Sequence, residues 1–543
     1  MNIKKKLIII GVCFVIIIMV LTANIIRRII ADRDNKQEDN VLAENVISRA
    51  EAYRLLSYLE YDKAKRESLP MGITYADKDM SDWDDRYVNA IWRMGLIDEN
   101  ITVSPKEALT LGECKFLIDK LITKKPVLQG VYAALSFDFL KADSEMLIPQ
   151  FLEVYKALLD LLPEDEKIVK DEILFVLDRE IAEDGKDRIV TDQGKYFYVN
   201  SMDYEKFYNP EADRPYDRLT GEEVLRRFNN KGIEVLACKN EIIYIKNIYT
   251  GKITIKNVWI KQGKELKIDT FINGVHKEFQ AQFKLSQDIE EIVGDIAIEN
   301  GNVVGISIKP DIITGKVLLS GEDFIEIEGY GKIPLDDDYK IYKIYGELSM
   351  EQTSGILVGY DTTDFVVSEG KISAALIKES IKAERIRVLL HTTGFKDIYH
   401  KQVEIGATSD YVVRTGESET RYSASETLTL EPGDKMLSLG RVIIEPVSEE
   451  GKIKLLSIER STGTPKYRGR IEITQEDKGL LIVNELPLEE YLYAVIPSEM
   501  PTYYGLEPLK VQAVCARSYA YRHLLANSLS AYGAHVDYSV AYQ

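Results

Sequence analysis

The sequence predicts a multidomain α+β chain. Three observations carry that reading. An apolar run of transmembrane length lies near the start, a helical period follows from about Ser48 to Pro163, and strand alternation takes over beyond about Lys167 before a mixed strand and helix segment. The chain has 543 residues, and at ~100–200 residues per domain it holds roughly three or four domains. The pattern divides it into 1–28, 29–45, 46–165, 166–382 and 383–543.

The apolar run is Leu7–Ile26, with Lys4, Lys5 and Lys6 before it and Arg27 and Arg28 after it. About 20 residues suffice to cross a hydrocarbon core of ~30 Å as a helix. Ala23 has Leu21 two positions before it, a poor cleavage site, so the run is expected to be an uncleaved signal anchor. The expected location is a single-pass membrane protein whose large C-terminal part faces the cell wall. Residues 29–45 are polar and charged and read as a linker.

Composition narrows the function. Lys and Arg total 69 against 88 Asp and Glu, a net charge of −19, which excludes a general nucleic-acid binder. A hydrophobic share of 45% with 29% charged residues describes folded, globular protein. Cys13, Cys114, Cys238 and Cys515 form no CxxC pair, and the five histidines (His276, His391, His400, His523, His535) make no HExxH. No metal site and no cofactor are expected.

In 46–165, Ala50, Tyr53, Leu55, Leu56 and Leu59 recur at helical spacing, and Trp83, Tyr87, Ile91, Trp92 and Leu96 mark a second apolar face. The carriers Ser48-Arg49-Ala50-Glu51, SDWDDRYVNAIWRMGLI and SPKEALTLGE resemble S-layer homology repeats. That resemblance implies a helical region binding secondary cell-wall polysaccharide, with Arg49 and Glu51 as contacts. A plain helical spacer is the alternative.

Residues 166–382 read as β-rich. Ile242, Tyr244 and Lys246 alternate, and Asn273-Gly274 and Asn300-Gly301 are hairpin-grade turns. No catalytic constellation stands out there. In 383–543, strands such as ERIRVLLHTTGF and YRGRIEITQ lead into GLLIVNELPLEEYLYAV. Pro487 is placed to start a helix whose Leu488, Leu492 and Val495 share a face, Pro497 to end it, and a second helix is expected from about Glu507 to Asn527.

Glu499 stands between Pro497 and Pro501, whose fixed φ stiffens its backbone and preorganises the carboxylate. Leu509, Ala513, Ala516 and Ala520 line one stripe of the second helix, and Lys510, Val514, Arg517 and Tyr521 a neighbouring one. A carboxylate near two cations suits cleavage of a polar, acetamido-bearing polymer. Spacing alone equally allows an amphipathic helix with solvated charges.

The segment LIVNELPLEEYLYAVIPSEMPTYYGLEPLKVQAVCARSYAY resembles the SpoIID/LytB family. The resemblance implies a mixed α/β, SpoIID-like catalytic domain, partial in 383–543. It implies a lytic transglycosylase of peptidoglycan glycan strands, acting in wall remodelling or sporulation. Carried over, Glu499 is the catalytic acid and base, Lys510 and Arg517 support it, and Gln512, Ser518 and Tyr519 contact substrate. The amidase-enhancer branch of the family implies an alternative, a non-enzymatic partner of a wall amidase. Some members bind zinc through a Cys/His segment. Here HVDYSVAYQ has Asp537, Ala541 and Tyr542 in those positions, so no zinc is expected.

Overall fold

The computed structural model describes residues 46–72, 82–98, 103–105, 107–181, 187–198, 221–263, 266–284 and 290–538. They fall into two compact units, Met1–Ile253 and Thr254–Gln543.

The first unit joins a helical layer to a small barrel. The helices are α1 (Arg49–Ser57), α2 (Lys63–Glu67), α3 (Asp82–Arg93), α4 (Leu111–Lys124), α5 (Ile148–Leu161) and α6 (Gly221–Phe228). Ser48 starts α1 with a capping box. Its N–H donates to the Glu51 carboxylate at 3.0 Å, and its Oγ accepts from the Glu51 N–H at 3.3 Å. Thr110 and Glu113 repeat the device at α4. Strands 170–181, 187–191, 194–198, 241–249 and 232–238 close in that order into a barrel, and Val224 and Phe228 of α6 enter its core.

One hydrophobic cluster runs from Leu55, Phe151 and Leu158 in the helices to Leu236, Ile243 and Tyr244 in the barrel. Strand 241–249 is therefore buried on both faces from Glu241 to Ile245, and the alternation expected of Ile242, Tyr244 and Lys246 is lost.

The second unit is almost entirely sheet. A five-stranded sheet has the order 302–308, 292–299, 253–262, 267–272, 275–280. Its two-residue turns are Asn273-Gly274 (φ 48° and 88°) and Asn300-Gly301 (φ 49° and 76°), left-handed pairs that match strand twist. A second sheet carries 312–314, 363–368, 371–377, 331–343, 324–327 and 317–320. The C-terminal sheet orders 418–422, 411–415, 442–446, 470–476, 479–487, 385–389 and 536–537, with a four-stranded companion of 428–430, 403–407, 453–455 and 466–467. Helices α7 (Lys435–Ser438), α8 (Leu488–Glu499) and α9 (Leu506–Ala526) complete it.

These observations correct the expected fold class. The described residues are strand-rich, 40% strand against 26% helix. Among the described residues no helix is long and apolar enough to cross a membrane. Residues 7–26, read as the transmembrane helix, lie outside the described residues, as does the 29–45 linker. The transmembrane helix and the single-pass membrane location therefore have no support. The helical S-layer-homology-like region has none either. Its helices do not close on themselves but share their core with the barrel. Arg49 is spent within the layer, on Glu113 (2.8 and 3.0 Å) and Glu107 (3.0 Å), and Glu51 caps Ser48.

Candidate active site

The C-terminal sheet, α8 and α9 share one core. Leu488, Tyr491, Leu492 and Val495 of α8 and Ala516 and Ala520 of α9 pack with Ile386, Val388 and Ile482 of the sheet. The apolar stripe expected on the second helix thus faces inward at its last two alanines, Ala516 and Ala520.

Helix α8 does not stop at Pro497. That proline lies inside the helix, and the Met500 N–H still donates to the Ile496 carbonyl at 2.9 Å. Pro501 ends the helix instead, because the residue before a proline is pushed to extended backbone, here Met500 at φ −134° and ψ 119°. Glu499 is consequently the last helical residue. Its side chain faces solvent, with no hydrogen bond or ion pair among the described residues. Tyr491 lies two turns earlier on the same face.

The structure does not gather the expected triad. Lys510 pairs with Glu507 at 2.8 Å on its own helix. Arg517 reaches back to α8, where Nε and Nη2 donate to the two oxygens of Glu489, each at 2.7 Å. That pairing holds the Glu489 carboxyl below its usual range and raises the Arg517 guanidinium. Of the expected substrate contacts, Gln512 is half-buried on α9. The Ser518 hydroxyl donates to the Val514 carbonyl at 2.9 Å, and the Tyr519 ring lies 4.4 Å from that of His523.

What the structure adds is a cleft of about 440 Å³ whose wall ends at Ser498, next to Glu499. Tyr467, Tyr491, Tyr493 and Tyr538 give it aromatic faces, and Lys452, Arg460, Lys466, Arg468 and Glu490 its charges. Tyr491 sits at the centre of this chemistry. Burial pushes its phenol up to about 12, and neighbouring Tyr519, Glu499 and Asp537 add to the shift. Asp537 stands at the sheet edge with its Oδ2 3.3 Å from His391 Nε2, an ion-pair distance without hydrogen-bond geometry. Arg460 donates to the carbonyls of His391 (2.7 Å) and Thr392 (2.9 Å) and stacks on Phe395 and Tyr538.

Sequence reasoning missed these cleft residues because they come from four separate stretches. Only the two-turn spacing from Tyr491 to Glu499 carried a local signal. His535 is occupied elsewhere. Its Nδ1 accepts from the Arg387 N–H at 3.1 Å, and its Nε2 lies 2.8 Å from the Val358 carbonyl.

A solvent-facing carboxylate beside an aromatic, cationic cleft is an arrangement suited to acid–base work on a polar polymer. The comparisons with known proteins converge on the same segment. Residues 476–543 match the SpoIID model, described as stage II sporulation protein. The chain is 40% identical over 63 residues to an uncharacterized protein of Brachyspira hyodysenteriae, covering 12% of this chain and 17% of that one. It is 48% identical over 48 residues to the stage II sporulation protein D of Bacillus amyloliquefaciens, covering 9% and 14% respectively. The chain therefore spans under a fifth of the length of these curated relatives. The C-terminal segment belongs to the SpoIID family. Among solved structures, the extracellular domain of a one-component system from B. thetaiotaomicron is similar at a TM-score of 0.10 and 9% identity, over 57% of this chain and 50% of that one, too slight a likeness to inform the fold.

Proposed function

We propose that the C-terminal segment cleaves peptidoglycan glycan strands as a lytic transglycosylase, with Glu499 as its acid and base. Membership of the SpoIID family supports a sporulation or cell-wall role. The observation that carries the finer reading is the position of Glu499, unpaired among the described residues and one residue beyond the cleft wall at Ser498.

The chemistry needs one carboxylate. Glu499 donates its proton to the glycosidic oxygen, the C–O bond breaks, and positive charge develops at C1 of the muramic sugar. The carboxylate then takes the proton from that sugar's own 6-hydroxyl, whose oxygen closes on C1 to give a 1,6-anhydro end. No water is consumed, so the second carboxylate that ordinary glycosidases use to activate water or to attack C1 is dispensable. Acid–base help of this kind contributes ~10²–10⁴-fold in rate. Arg517, held by Glu489, acts in this reading by fixing α9 against α8 and not by touching the reacting atoms.

The test is to incubate the protein with purified glycan strands and look for 1,6-anhydro-muramic ends by mass spectrometry. The expected result is anhydro ends with the native protein and none with Glu499→Gln. Strands left intact by the native protein, or cut equally by the variant, overturn it.

A second reading, a non-enzymatic enhancer of a wall amidase, is favoured by the outer face of α9. Val511, Val514, Tyr521 and Leu525 are exposed there at heptad-like spacing. Stimulation of an amidase that survives Glu499→Gln supports it.

A further inference from the structure

Inside the second unit a lysine amine meets an asparagine amide, far from α8 and α9 in the chain. Asn257 is fully buried in strand 253–262 and Lys309, also buried, follows strand 302–308. Asp295 stands on strand 292–299, which lies between those two in the five-stranded sheet. The Lys309 Nζ donates to the Asn257 Oδ1 and lies 3.1 Å from the Asp295 Oδ1. The same Asp295 oxygen accepts from the Asn257 N–H at 2.9 Å. One carboxylate thus touches both the amine and the residue that carries the amide.

The surrounding contacts hold the amide in place. Its Nδ2 donates to the Asp338 carbonyl at 3.0 Å, so Oδ1 is the atom turned to the lysine. The Tyr342 hydroxyl donates to the Asn257 carbonyl at 2.6 Å, and the Lys309 N–H to the Val293 carbonyl at 3.0 Å. Asn257 takes φ 55°, left-handed backbone within a strand, a strained conformation that asparagine tolerates better than most residues. An amine in contact with Oδ1 stands at most one C=O bond, about 1.2 Å, farther from Cγ. Holding a nucleophile that close to its target is equivalent to effective concentrations of ~10⁵–10⁸ M when the approach is well aligned. Burial keeps out the water that would compete for the same carbon.

We propose that Lys309 and Asn257 become joined by an intramolecular isopeptide bond, with Asp295 as the proton carrier. Asp295 takes a proton from the Lys309 ammonium. The freed lone pair forms the Nζ–Cγ bond, and the C=O π pair moves to Oδ1. The carboxyl group then gives its proton to Nδ2 and takes another from Nζ. The pair on Oδ1 returns, the Cγ–Nδ2 bond breaks, and ammonia leaves. It carries off the remaining carboxyl proton as ammonium, which restores Asp295. Every reacting atom comes from this chain. The bond crosses strand 292–299 and ties residues 52 apart, which removes extended conformations from the unfolded chain.

The mass of the purified full chain is measured after denaturation. The expected value is about 17 Da below that of the sequence, the loss of one ammonia. Trypsin cuts after Lys256, Lys261, Lys284 and Lys316 and spares Lys309, which precedes Pro310. Peptide 257–261 is expected joined to peptide 285–316, with fragment ions placing the link at Asn257 and Lys309. Lys309→Arg keeps a cation beside Asp295 but supplies no amine, and Asp295→Asn removes the proton carrier. Both variants are expected to release the two peptides unlinked, and Lys309→Arg to melt several degrees lower.

A native chain of full sequence mass, with 257–261 recovered free, overturns the proposal. So does a loss of ammonia with that peptide unlinked, which marks an asparagine cyclising onto its own backbone. A link that persists in Asp295→Asn overturns the role given to Asp295. The native digest requires no variant to fold, so the bond stands or falls on it.

Discussion

Arg517 of α9 grips Glu489 of α8 through two parallel hydrogen bonds, each 2.7 Å long. The two residues are 28 apart in the chain, and their pairing ties the helix that ends in Glu499 to the helix that follows it. Both side chains are largely exposed, so the pair is expected to contribute under ~1 kcal/mol to stability.

If Arg517 acts by positioning α8, Glu489→Ala and Arg517→Ala lower glycan cleavage by similar factors, and the double variant is no worse than either alone. Arg517→Lys does not restore activity, because an ammonium cannot reproduce the two-pronged contact. Steady-state cleavage rates for the four proteins decide it. A severe loss with Arg517→Ala beside an unaffected Glu489→Ala makes Arg517 a direct participant instead.

Glu499→Gln separates chemistry from folding. The side chain is exposed and unpaired among the described residues, so the melting temperature stays within a degree or so of the native value. Cleavage falls by at least ~10²-fold. A calorimetric scan and an assay for anhydro ends on one preparation check both. A large drop in melting temperature means that the carboxylate is structural.

A buried charge network ties strands 385–389, 470–476 and 479–487 together. Arg387, fully buried, donates to Glu472 at 3.0 and 2.6 Å and also to Glu485. Arg470 reaches Glu472 at 2.7 Å, Arg441 joins Glu472 to Glu326, and Lys316 meets Glu485 at 2.7 Å. Burial alone raises a carboxyl, but Arg387, Arg441 and Arg470 together hold Glu472 well below the usual range. Removing one member strands the others in a dry interior. Glu472→Gln is therefore expected to cost ~3–5 kcal/mol, read as a fall in the urea midpoint. A loss below ~1 kcal/mol contradicts the network's role.

Local chemistry made part of this architecture legible. Asn273-Gly274 and Asn300-Gly301 announced their turns because both residues of each pair take positive φ. The apolar face of Leu488, Leu492 and Val495 announced α8. Strand 241–249 misled because one face fills the barrel and the other meets α5, so burial erases the period of two. Pro497 misled because a proline in the last turn, on an exposed face, removes only one hydrogen bond. Of the proposed site, the sequence pointed to Glu499 and not to the cleft beside it. The Glu489–Arg517 grip depends on how two helices cross, and the cleft draws on 388–390, 452–468, 484–498 and 538, which only the folded sheet brings together.

His535 makes the second unit sensitive to mild acid. The ring is fully buried between the Arg387 N–H and the Val358 carbonyl, and burial, reinforced by the charge of Arg387, pushes its pKa down to about 4. The unfolded chain titrates near 6.5. Above that value neither state carries the proton, and the stabilisation is complete. As pH falls from about 6.5 to about 4 the unfolded state takes up a proton that the folded state refuses, so stability declines, by about 3 kcal/mol in all. Glu485, held down to about 2, starts to add its own loss as pH falls through the ordinary carboxylate range, so the imidazole is read alone only above about pH 5. His400, also buried and shifted down, contributes to the same window. Urea midpoints at pH 7, 6, 5 and 4.5 are expected to fall steadily for the native protein and much less for His535→Gln. The glutamine amide can donate to Val358 and accept from Arg387 without titrating. Between pH 7 and 5 the slope that persists in His535→Gln is expected to shrink further when His400→Gln is added, and the fall that remains at pH 4.5 belongs to the buried carboxylates. Identical slopes in the native protein and His535→Gln rule out the buried imidazole as the acid-sensitive group.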